Sequence, residues 1–167
     1  MKTIPIYQID AFTSRIFAGN PAAVCPLEAW PEDALLQAIA QENNLSETAF
    51  FVPDKDGYKI RWFTPVSEVD LCGHATLATA FVIFGHSDQT ENKIRFNSRS
   101  GALEVTKIVT DTAPERNTLL VMDFPSQPPL PCETPDELVK ALDREPAEVL
   151  CSEDYFVVFS KESDVKT

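Results

Sequence analysis

The sequence predicts an α+β fold, in which several short strands surround one buried helix. Two observations carry that expectation. Runs that alternate or carry β-branched and aromatic residues recur along the 167-residue chain, separated by Gly, Pro, Asn and Asp turn signals. Between them, Gly73 to Phe84 holds apolar residues on every side and not in a stripe, and a helix with no polar face belongs inside something.

The elements follow in order. Ile4 to Phe12 reads as a strand, with Pro5 marking its start or an edge position. Gly19-Asn20-Pro21 turns the chain into a second short strand, Ala22 to Cys25. Pro31-Glu32-Asp33 starts a helix running to about Glu42, with Leu35, Leu36 and Ile39 on its apolar face. Asn43-Asn44 stops it. Ser46 to Val52 and Tyr58 to Phe63 form a hairpin through Asp56-Gly57. A polar loop then runs to Asp70 before the buried helix.

Beyond Gly85, Ile94 to Asn97, Ala102 to Val109 and Thr118 to Phe124 are strand-like, with a charged loop over Asp111 to Asn117. Ser126 to Pro131 is a proline-rich connector and the domain boundary, giving a lobe over residues 1–125, the connector at 126–131 and the beginning of an incomplete second lobe over 132–167. There Thr134 is expected to cap a helix while Glu137 reaches back to it. Val149 to Cys151 and Tyr155 to Ser160 are short strands with nothing after them to close a sheet.

Charge and composition exclude several function classes. Fourteen Lys and Arg against 26 Asp and Glu leave a net charge of −12, which argues against capture of nucleic acid or of an anionic membrane surface. The longest nearly apolar stretch, Ala75 to Phe84, is about half a membrane span, and no signal pattern opens the sequence, so a cytoplasmic protein is expected. Cys25, Cys72, Cys132 and Cys151 form no C-x-x-C pair and only two histidines are present, so neither a zinc site nor a redox motif can be read and free thiols are expected. Dinucleotide, phosphate-loop, nucleophile-elbow and H-E-x-x-H motifs are all missing from the sequence.

What remains is proton chemistry. Leu71-Cys72-Gly73-His74-Ala75-Thr76 puts small residues at the start of the buried helix, where free N–H groups and the positive end of the dipole suit a substrate carboxylate, with His74 as a further donor. The competing view is that Gly73 serves close packing and His74 caps the helix. Glu47, set between Leu45 and Ala49-Phe50-Phe51, would be fitted for proton transfer if buried. Turned outward, it is one polar position in an alternating strand. A thiol at a helix start, Cys72 would have its thiolate stabilised and could act as nucleophile or base, against its reading as a small buried residue. His86, after Phe84-Gly85, suits a helix C-terminus.

Five blocks in order resemble the PhzF-like family of phenazine-biosynthesis isomerases. They are Gln8-Ile9-Asp10-Ala11-Phe12, Gly19-Asn20-Pro21-Ala22-Ala23-Val24, Asn44-Leu45-Ser46-Glu47-Thr48-Ala49-Phe50, Arg61-Trp62-Phe63-Thr64-Pro65 and Leu71-Cys72-Gly73-His74-Ala75-Thr76-Leu77. The resemblance implies a diaminopimelate-epimerase-like fold of two lobes, each wrapping a mixed, mostly antiparallel sheet around a central helix. It places the acid/base role on Glu47 and substrate binding on Ser46, Gly73 and His74, with Cys72 and Asn20 as further candidates. It implies isomerisation of a small carboxylated substrate, in the phenazine pathway a dihydro-hydroxyanthranilate, with no metal or cofactor, and a homodimer. Cys72-Gly73-His74 also resembles the start of the cysteine site in proline racemases and diaminopimelate epimerases. Family members carry a second-lobe E-D-P-x-T-G-S-A segment that this sequence lacks, so full activity is expected to need that lobe; a non-catalytic binding module is the alternative.

Overall fold

In the computed structural model the chain divides into two compact units, residues 1–124 and 125–167. The structure describes residues 3–86, 91–109, 118–124 and 126–166. The charged loop expected at 111–117 lies outside them.

The first unit opens with β1 (Tyr7–Ala11) and β2 (Asn20–Pro26), followed by α1 (Asp33–Asn43), β3 (Glu47–Asp54), β4 (Gly57–Phe63) and β5 (Glu68–Val69). Helix α2 (Gly73–His86) precedes β6 (Lys93–Ser98), β7 (Gly101–Val109) and β8 (Thr118–Asp123). The eight strands form one mixed sheet in the order β1-β2-β3-β4-β6-β7-β8, with β5 paired to β4. Among the described residues only β2 with β3 and β4 with β6 run parallel, and each of these pairs is linked by a segment that contains a helix, as parallel neighbours require. Because α2 touches β1, β2 and β3 toward one end of the sheet and β8 at the other, the sheet curls around it into a half-barrel.

The concave face supplies the core: Ala22, Val24, Ala49, Trp62, Phe96 and Val105 from strands meet Ala75, Ala78, Val82 and Ile83 of α2. Helix α1 lies against β3 and β4 and builds a second cluster around Leu36, Ala40, Phe50 and Phe63. Two buried threonines sit on α2 without an orphaned hydroxyl, because Thr76 Oγ1 donates to the Cys72 carbonyl at 2.5 Å and Thr79 Oγ1 to that of Ala75 at 2.7 Å. The enclosure of α2 is incomplete. Gly73, Leu77, Phe81 and Gly85, four residues apart, form a strip that is not fully buried, and Phe81 is 56% exposed. An apolar composition on every side hid that strip.

The expected hairpin forms around Gly57, whose φ of +128° and close approach to the Arg95 carbonyl leave no room for a side chain. The loop expected before Asp70 contains β5. It is fixed by Glu68, which accepts from Arg61 through Nε at 2.7 Å and Nη2 at 2.8 Å, a forked pair that composition could not announce. Helix α1 starts at Asp33, so Pro31 lies outside it and Glu32 is the N-cap, without a side-chain hydrogen bond.

The second unit holds β9 (Leu130–Pro131), α3 (Asp136–Leu142), β10 (Glu148–Cys151), β11 (Tyr155–Val158) and a short 3-10 turn, Glu162–Asp164. Its two final strands pair with each other, and β10 also pairs with β9 from within the proline-rich connector, giving a three-stranded sheet. Pro131 is tolerated because β9 is an edge. The expected capping of α3 by Thr134 and Glu137 is corrected: Pro135 is the N-cap, with no side-chain hydrogen bond. Its extended backbone, φ −65° and ψ 138°, delays the helix by one residue and leaves Thr134 out of reach.

Candidate active site

Two segments far apart in sequence are brought together by the wrapped sheet. The first is the turn from α1 into β3. Asn44 ends α1 in the left-handed region at φ +50°, its N–H bonded to the Ala40 carbonyl, and Asn43 Nδ2 donates to Thr48 Oγ1 at 3.1 Å. Ser46 and Glu47 are thereby fixed at the start of β3, where Glu47 pairs in register with Ala22 of β2. The second segment is the N-terminus of α2, inside the half-barrel.

His74 stands between the two. Its Nε2 lies 3.2 Å from Glu47 Oε2 and 3.4 Å from Ser46 Oγ, and its Nδ1 lies 3.4 Å from Cys72 Sγ. His74 is 8% exposed and Cys72 7%. Asn20, at the first position of β2, reaches the same place: its Oδ1 is 3.4 Å from Ser46 Oγ, which is also 3.5 Å from the Pro21 carbonyl. Gly73 opens α2 beneath Met122 and Phe124, so that a Cβ there would lie 3.5 Å from the Phe124 ring.

Glu47 is half-buried and turned inward, which removes the reading of a solvent-facing strand residue. Its Oε2 is buried and lacks a hydrogen bond of good geometry; the 3.2 Å approach of His74 Nε2 is an ion-pair distance and is off the line a hydrogen bond needs. An inward carboxyl oxygen left in this state costs stability, and such costs concentrate where function requires them.

Cys72 takes the second of its two readings, that of a small buried residue. Burial pushes its thiol up to about 12; the nearby Glu47 carboxylate pushes in the same direction, and the Ala75 and His74 N–H groups offset only part of it. The helix start does not yield a thiolate because desolvation outweighs the backbone donors. Donor atoms of Glu47, Cys72 and His74 all lie within 4.8 Å of one another. The sulfur meets one ring nitrogen and the carboxylate the other, so the imidazole stands between them. An ion bound in the ring plane at either nitrogen would face away from the ligand at the other, a poor fit for a single metal ion.

A family model described as phenazine biosynthesis-like protein matches residues 9–162. The chain belongs to that family. An uncharacterized isomerase of Pseudomonas aeruginosa is 52% identical over 162 residues, covering 97% of this chain and 60% of the relative. One from Halalkalibacterium halodurans is 44% identical over 169 residues, covering 99% and 61%. Among solved structures, a PhzF-family phenazine biosynthesis protein of Enterococcus faecalis superposes with a TM-score of 0.83 at 44% identity, covering 97% of this chain and 59% of that one. The chain thus spans about 60% of the length of these relatives.

In this PhzF-like chain the structure gathers Asn20, Ser46, Glu47, Cys72 and His74 around one point, with Gly73 adjacent. Sequence reasoning missed Met122 and Phe124 over Gly73. The signal was available in the alternation that runs through β8 into the residue after it, where Leu120, Met122 and Phe124 are the less exposed positions, but which residue they cover depends on closure of the sheet. The other thiols stand apart. Cys25 is buried, which pushes it up to about 12, while Cys132 in the second unit is raised chiefly by its neighbour Cys151. Among the described residues no helix is long and apolar enough to cross a membrane.

Proposed function

We propose that this protein is an isomerase that moves a proton on a small carboxylated metabolite, with Glu47 as the acid/base residue. The observation that carries the reading is the inward Glu47 Oε2, buried and without a well-formed hydrogen bond beside His74. A carboxyl group whose lone pair is not consumed by the protein can exchange a proton with a substrate carbon placed against it. Membership of the phenazine biosynthesis-like family supports the same chemistry.

The substrate's carboxylate would lie at the start of α2, where the N–H groups of the first turn and the helix dipole favour an anion, with Ser46 and His74 as side-chain donors. Glu47 would take a proton from one carbon and return it to another, so no net proton is gained or lost. Gly73 keeps the helix start open to a flat substrate, and Met122 and Phe124 provide an apolar wall. A Cys72-based racemase is disfavoured, because a thiol pushed up to about 12 supplies almost no thiolate near neutral pH.

The test is proton transfer in deuterium oxide. A panel of cyclic, unsaturated carboxylic acids, beginning with a dihydro-hydroxyanthranilate, is followed by NMR for deuterium appearing at carbon. Glu47→Gln should lower the rate by about two to four orders of magnitude. Retention of the rate in that variant would remove Glu47 from the chemistry, and absence of exchange across the panel with the unaltered protein would favour a binding module.

A further inference from the structure

We infer that Cys72 is a positioning residue whose thiol proton, donated to His74 Nδ1, holds the imidazole in the tautomer with its N–H at Nε2, directed toward Glu47 and Ser46. Its consequence for catalysis rests on the reading of Glu47 as the acid/base group, but the tautomer itself does not.

His74 Nε2 finds its hydrogen-bond partner in Ser46 Oγ at 3.4 Å, and the Glu47 Oε2 atom 3.2 Å away, at ion-pair distance, repels a bare nitrogen lone pair there and favours an N–H. On the far side of the ring, Nδ1 lies 3.4 Å from Cys72 Sγ, and a neutral imidazole carries one N–H and one bare nitrogen. A protonated thiol can donate to a bare Nδ1. Because burial keeps that thiol protonated, the Sγ–H fills the Nδ1 lone pair and the ring's own hydrogen belongs on Nε2.

The Glu47 carboxylate also faces the thiol and competes for its hydrogen. If the thiol turned to Glu47, Nδ1 would carry the ring hydrogen against sulfur, a weak acceptor, and a bare Nε2 would face a carboxylate oxygen. That arrangement pairs the ring poorly, with only the Ser46 hydroxyl, 3.4 Å away, left to serve Nε2. Donation to Nδ1 instead pairs the ring on both sides, with Cys72 at Nδ1 and Ser46 Oγ accepting from Nε2 at 3.4 Å, in a place where His74 and Cys72 are both buried and an unpaired polar atom is costly. The result is a defined donor at Nε2, available to Glu47, to Ser46 and to a substrate oxygen entering between them.

The ring nitrogens can be read directly. The chain has two histidines, His74 and His86, so long-range proton–nitrogen correlation spectra of the 15N-labelled protein near neutral pH assign each tautomer, with the exposed His86 as internal reference. The expected result is Nε2–H at His74 in the unaltered protein, retained in Cys72→Ser, which keeps a donor. In Cys72→Ala the ratio of Nε2–H to Nδ1–H should fall about five- to tenfold, the effect of losing one buried hydrogen bond. Nδ1–H in the unaltered protein would overturn the inference, as would an unchanged ratio in Cys72→Ala. Should Cys72→Ala fail to fold, loss of Nε2–H in a folded Cys72→Ser would also count against it. No substrate is present in these spectra, so a missing deuterium exchange would sink the isomerase reading and leave this one standing.

Discussion

The two units of the chain solve the same problem with very different means. Residues 1–124 bury aromatic and branched side chains on both faces of a sheet, with Trp62, Phe50 and Phe96 essentially without exposure. Among the described residues of the second unit only Val149 is buried, and α3 buries none of its residues. Strand pairing and polar contacts such as Arg144 Nη1 to Asp164 Oδ1 at 3.0 Å mark the second unit, whereas burial dominates the first. The difference teaches that regular secondary structure is no measure of how firmly a region is held.

The largest effect should come from the first core. Trp62→Ala is expected to cost about 3–5 kcal/mol, because it empties the concave face where α2 meets the sheet. Val149→Ala in the second unit should cost only about 1.5 kcal/mol, at about 0.8 kcal/mol for each of the two buried carbons removed. Hydrogen exchange read by mass spectrometry resolves the two regions; equal losses of protection would break the contrast.

Alkaline titration sharpens it. Cys25 and Cys72, both in the first unit, have thiols raised from 9.0 to about 12 in the folded chain, so between those values the folded state holds more protons than the unfolded one. Stability therefore declines as pH rises through that window and is unaffected by these groups below it. Urea midpoints for the first unit should begin to fall near pH 9, and the Cys25→Ala variant should show a shallower decline. A slope unchanged by that substitution would assign the loss to other groups.

The smallest effect concerns two matched helix ends. Asn44 after α1 and Asp143 after α3 both sit at φ +50°, a conformation that favours glycine. Asn44→Gly and Asp143→Gly should each stabilise their helix end by about 0.5 kcal/mol. With no buried face to hold it, α3 should show the gain as slower local exchange, while α1, pinned through Leu36 and Ala40, should barely register it. The reverse order would mean that packing does not hold α1.

Much of the fold was legible because its signals are local. The hairpin announced itself through Asp56-Gly57, and α2 through its apolar run, each written within a dozen residues. What could not be read depends on distant partners. Strand β5 exists because Glu68 finds Arg61, and β9 becomes a strand because β10 passes beside it. In the site, residue types at 46–47 and 72–74 could be named, but the inward turn of Glu47 required the curl of the sheet. For Cys72 both the helix start and a buried small residue could be read from the sequence, but the burial that decides between them is a property of the assembled core.

The placement of the candidate site has a consequence for synthesis. Asn20, Ser46, Glu47, Cys72 and His74 all precede Phe124, the end of the first unit. Domains fold largely as units and N-terminal ones can do so first while the chain is still being made. The ribosome can thus release a segment in which the acid, the imidazole and the thiol have already met, before any later residue has left the exit tunnel. Folding errors downstream would then leave this chemistry formed but unaccompanied, and quality control would have to recognise the defect from some other part of the molecule.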